Sequence, residues 1–80
     1  MNNHADVFYK SNFDSIVYEL TDQIKSVWDF RNKSFEQEVK QFCDGLAERL
    51  MTMALQLAPC GIHAEAHLAE FQERNGLKNL

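Results

Sequence analysis

Phe35, Val39, Phe42, Cys43, Leu46, Leu50, Met53, Ala54 and Leu57 recur at steps of three and four, the spacing of one face of an α-helix. Ser34 stands just before the run as a helix-capping residue. With Gln37 it makes a capping-box pattern, in which each side chain satisfies a free backbone N–H at the other's end. The spacing predicts a helix over 35–57, more than a quarter of an 80-residue chain, so the fold is organised around helix packing. Ala47, Met51, Leu55 and Ala58 widen the apolar arc in the C-terminal half, beyond what one partner helix covers.

A second stripe lies upstream. Phe13, Ile16, Val17, Leu20, Ile24, Val27 and Trp28 fall within roughly 120° of a helix circumference at about 100° per residue. This predicts a helix over 13–28, capped by Ser11 or Asn12, with Asp14 in the first turn and on the polar side with Glu19, Asp22 and Lys25. Val7, Phe8 and Tyr9 either extend this helix or fold back over the core. Asp29–Lys33 reads as a short polar link that returns the chain antiparallel. Ala58-Pro59-Cys60-Gly61 ends the second helix, because proline cannot continue the backbone ladder. A shorter third helix is expected over 62–75, with Ala64, Leu68 and Phe71 as its seam, Gly76 as a left-handed stop and Leu77 folded back. Gly45 costs its helix about 1 kcal/mol relative to alanine, for no reason visible in the sequence.

The expected fold is therefore all-α: one domain of three helices, an antiparallel hairpin plus a third helix, completed as a helical-bundle homodimer. Dimerisation through the second helix is expected because a chain this short hides only about 60–65% of its surface on folding.

Charge narrows the function classes. The net charge is −4, and the cations are spread singly along the chain, whereas phosphate backbones reward clustered cations. Direct nucleic-acid binding is disfavoured, and the carboxylates are too sparse for an acidic DNA mimic. With no cationic start leading into an apolar stretch and no run approaching about 18 apolar residues, a cytoplasmic protein without a membrane span is expected. Cys43 and Cys60 are about 20 Å or more apart along a helix at about 1.5 Å per residue, so they are expected as free thiols.

Two sets of residues are candidates for a site. Cys60, His63, His67 and Glu70 are spaced to share one side of a helix, a donor set that zinc or a similar divalent metal accepts. The competing reading of the same residues is an exposed helix edge with Glu70 paired to Arg74. An activated cysteine beside an imidazole is weaker still, for want of an orienting residue and an oxyanion donor set, so no enzyme is expected. The second set is a partner surface. Taking Val39 as zero and about 100° per residue, Met51 lies near 120° and Leu55 near 160°, outside the main stripe ending near 60° at Ala54. Met51 and Leu55, flanked by Glu48 and Thr52, are expected to contact a protein partner, with docking of the third helix on that side as the competing reading, while Met53 and Cys43 belong to the core. Trp28, beside Phe30 and Arg31, closes one end of the core or anchors an interface. The leading expectation is a small regulatory or inhibitory protein that acts by protein–protein binding, of the kind encoded by phages or plasmids. The alternatives are a metal-binding helical module and a structural homo-oligomer subunit.

Overall fold

The computed structural model describes residues 3–78, with side chains from residue 9 onward. Three α-helices, α1 (Asn3–Lys33), α2 (Gln37–Leu57) and α3 (Ala64–Asn75), make up nearly all of it, with a 3₁₀ turn at Ala58–Cys60 and no strand among the described residues. None of these helices is long and apolar enough to cross a membrane.

Helix α1 is about twice as long as the sequence pattern predicts. Neither glycine nor proline occurs before Gly45, and the polar residues expected to stop the helix sit comfortably inside it. The Ser15 hydroxyl donates to the Ser11 carbonyl (3.2 Å) and that of Ser26 to the Asp22 carbonyl (3.2 Å), the i−4 pattern that absorbs a serine without breaking a helix. The chain extends the helix through Val7, Phe8 and Tyr9; whether the Val7 and Phe8 side chains also cover the core lies outside the described residues. Asp29–Lys33 is the last turn of α1 rather than a link. Ser34 completes it, with its backbone N–H on the Arg31 carbonyl (3.1 Å) and its hydroxyl on the Phe30 carbonyl (2.8 Å). The expected Ser34–Gln37 capping box is therefore absent. Glu36 occupies the N-cap of α2 in extended conformation, without a side-chain cap, because Ser34 is committed to the helix behind it.

Helix α2 returns along α1, and Arg31 ties the turn end of the hairpin: its Nε donates to Asp44 Oδ1 (2.6 Å) while its guanidinium lies 4.8 Å from the centre of the Trp28 ring. Trp28 does close that end of the core, half-buried against it. Beyond the 3₁₀ turn, α3 docks across both helices and ends as the sequence predicts. Gly76 adopts φ 66°, ψ 32°, the Leu77 N–H reaches the Gln72 carbonyl (2.8 Å), and the Leu77 side chain is buried.

The core joins Val17, Leu20 and Ile24 of α1, Ala47, Met51, Ala54 and Ala58 of the second segment, and Ala64, Leu68 and Leu77 of the third. Alanines let the three backbones approach closely. The resulting body is long and thin, 55 × 18 × 15 Å. Its radius of gyration of 14.5 Å exceeds the roughly 12 Å of a globular chain this size.

Candidate functional site

The buried side of α2 is displaced from its expected place. Cys43, Ala47, Met51, Ala54 and Ala58 are buried; with Val39 at zero, they centre near 80° instead of zero at about 100° per residue. Met51, expected outside the core, is 0% exposed and lies at its middle, so it offers no surface to a partner. Cys43 and Ala54 are buried as expected, whereas other members of the expected stripe are not. Phe35 is 99% exposed, Phe42 66% and Met53 49%. The physical reason is width: the apolar arc of α2 spans more than one neighbour covers, and α1 and α3 take the side where alanines permit close contact, leaving the bulkier side outward.

Phe30, 62% exposed on α1, continues this outer face. Phe30, Phe35 and Val39 line a shallow depression with Ser34 and Glu36, and Leu46 and Leu50 are half-buried along a groove against Glu19, Gln23 and Val27 of α1. Glu48 and Thr52 border it, lining a further depression with Gly45, Arg49 and Met53. Leu55 is half-exposed on the other flank, next to Pro59, Glu65 and Ala69. Met51, Leu55, Glu48 and Thr52 thus do not form one patch.

The cysteine–histidine set is also dispersed. Cys60 is exposed in the 3₁₀ turn, and His63 is exposed at the N-cap of α3, just outside the helix. His67 points to α1: its Nε2 lies 2.9 Å from Thr21 Oγ1, and its ring meets that of Tyr18 edge-on with centroids 4.5 Å apart. The Thr21 hydroxyl proton goes to the Tyr18 carbonyl (2.9 Å), so at this contact His67 Nε2–H is the donor. Among the described residues no three His, Cys, Asp or Glu side chains are grouped to hold a metal ion. Glu70 pairs with Arg74 at 2.6 Å on the surface, as the edge reading expects.

One polar joint has no counterpart in the sequence expectations. Asp14, expected on the wet side of α1, is buried, and its Oδ1 accepts the backbone N–H groups of Ile62 (2.9 Å), His63 (3.0 Å) and Ala64 (3.0 Å). These are free donors at the start of α3, so a side chain from another helix caps it, with the carboxylate at the positive end of the helix dipole. Gly61 makes the approach possible, since a Cβ there would collide with Asp14 Oδ1 and sit 3.0 Å from the Ala64 Cβ. Asp14 and Thr21 share the inward seam of α1 with Val17 and Ile24, and both polar members serve α3. Asp14 and His67 are thus both engaged between helices.

No family model matches this sequence, and neither curated proteins nor solved structures give a significant match.

Proposed function

We propose that this protein acts by protein–protein binding through helix faces, as a small regulatory or inhibitory factor and not as an enzyme, and that its contact surface is the outer face of α2 with Phe30. The observation that carries the reading is the exposure of four large apolar side chains on this side of the hairpin: Phe30 near the end of α1, Phe35 in the turn, and Phe42 and Met53 on α2. Scattered apolar residues are normal on a surface, whereas several large ones on one side mark a contact. Aromatic and methionine side chains are also those enriched at interfaces. Glu48 and Thr52 form the polar border of this surface, and the expected homodimer would use the same face.

Capture from source cells with the tagged chain, wild type against Phe42→Glu, is the test. Proteins retained by the wild type and lost with the variant, at unchanged helical signal, support the reading; identical recoveries overturn it.

A further inference from the structure

The geometry points to a second copy of this chain as the occupant of the outer face of α2, packed antiparallel about a two-fold axis level with Asp44. This rests on the proposal that the face is a contact surface.

Surface area argues for a partner of this size. The chain exposes 5749 Å², against about 5,000 Å² expected from the scaling of folded monomers at this mass. The 55 × 18 × 15 Å shape contributes to that excess, and a standard interface needs roughly 800 Å² from each side. Phe30, Phe35 and Phe42 alone expose on the order of 350–550 Å², given 150–250 Å² per ring.

The sequence of the face then selects the arrangement. Val39, Leu46 and Met53 recur every seven residues along α2 and Phe42 and Arg49 every seven between them, the interleaved pattern of a two-helix seam, with Phe35 one interval further back in the turn before the helix. In a parallel pair each position meets its own copy, so Arg49 would face Arg49 of the second copy inside the seam, a like-charge contact with no compensation. In an antiparallel pair the two series alternate across the interface. Phe35 then meets Met53 of the second copy, Phe42 meets Leu46, and Val39 meets Arg49. All three pairings have their midpoint at position 44, so one axis satisfies them together. Arg49, which makes no ion pair among the described residues, comes beside Glu38 of the second copy. Gly45 falls on the flank next to the axis, where its lack of a side chain lets the two backbones close up. Inside the monomer that glycine has no such role: a Cβ there would meet only Arg49 Nη1, at 3.7 Å, an ordinary contact.

The test uses the full chain in light scattering over a concentration range. A dimer is expected for the wild type and a monomer of unchanged helical signal for Phe42→Glu. Arg49→Glu and Glu38→Arg should each weaken dimerisation at least threefold, and the combined exchange should restore it, a rescue that a general loss of structure does not give. Orientation is read by oxidation in a Cys43→Ala, Cys60→Ser background. Gly45→Cys should cross-link to itself, and Phe35→Cys only when mixed with Met53→Cys. Self-cross-linking of Phe35→Cys alone overturns the antiparallel arrangement. A wild type that stays monomeric at all concentrations overturns the second copy as occupant; if Phe42→Glu still loses captured proteins, the face remains a contact surface for a different partner.

Discussion

The joint between Asp14 and the start of α3 and the outer face of α2 lie within one thin bundle and treat their surroundings in opposite ways. At the joint, one carboxylate oxygen accepts three backbone donors at 2.9–3.0 Å, and a glycine gives it room. On the outer face, a fully exposed phenylalanine precedes further large apolar side chains that no described residue covers. Polar groups are costly to bury unless satisfied, so the chain places two of them inward only where α3 or its own backbone meets them. Apolar groups carry no such directional demand, and the fold leaves the bulkiest of α2 outside. The first region is therefore satisfied within one chain, and the second is the face assigned above to a partner.

The sharpest way to break this contrast is at the core itself. Met51 is wholly buried and Phe42 is mostly in water, so Met51→Ala should cost about 2–5 kcal/mol, whereas Phe42→Ala should cost the monomer less than about 0.5 kcal/mol. Urea unfolding of both variants at low concentration measures the difference. Equal costs would mean that the outer face is part of the intramolecular core.

Next in size is the joint. Asp14→Ala leaves the α3 donors without their cap and should destabilise the chain by about 2–3 kcal/mol. Gly61→Ala, by forcing Asp14 out of place, should cost about 1–3 kcal/mol as an overpacked site. Because the second change acts by displacing the group the first removes, the double variant should cost little more than Asp14→Ala alone. A double-mutant cycle with fully additive costs would show that the two residues act separately.

These cases also separate what the sequence makes legible from what it does not. The break at Pro59 and the stop at Gly76 are readable because proline and a left-handed glycine act on their own few residues. The inverted facing of α2 is not, because periodicity identifies an apolar arc and, in an arc this wide, only the tertiary approach of α1 and α3 selects the alanine side. Asp14 meets its partners 48 to 50 residues away and Thr21 meets His67 at a separation of 46; a local reading sees only a polar residue on a helix. The length of α1 is a milder case, since Ser11 and Asn12 carry the chemistry of a cap but nothing forces the helix to use it.

A smaller effect is expected at the second polar member of the seam. Thr21→Val keeps the volume of a buried side chain and removes the hydroxyl that links His67 Nε2 to the Tyr18 carbonyl. His67 is only half-buried and can recover water, so the loss should be about 1 kcal/mol, within the net range of one hydrogen bond. A loss as large as that of Asp14→Ala would place this contact on a par with the cap.

The smallest change bears most directly on the contrast, because Gly45 sits where one chain gains nothing from a glycine and the proposed pair of chains would. In the monomer, alanine fits at this position against the tip of a flexible arginine at 3.7 Å, and helix propensity alone favours it by about 1 kcal/mol. Gly45→Ala should therefore stabilise the chain by up to about that amount when unfolding is followed at concentrations too low for association. Across the proposed two-fold axis the same methyl group holds the two α2 backbones apart, so association should weaken while the fold strengthens. Measuring both quantities on one variant separates the two roles: denaturant unfolding gives the first sign and light scattering the second. If Gly45→Ala strengthens the fold and leaves association untouched, the glycine has no part in the interface, and the axis must lie elsewhere along α2.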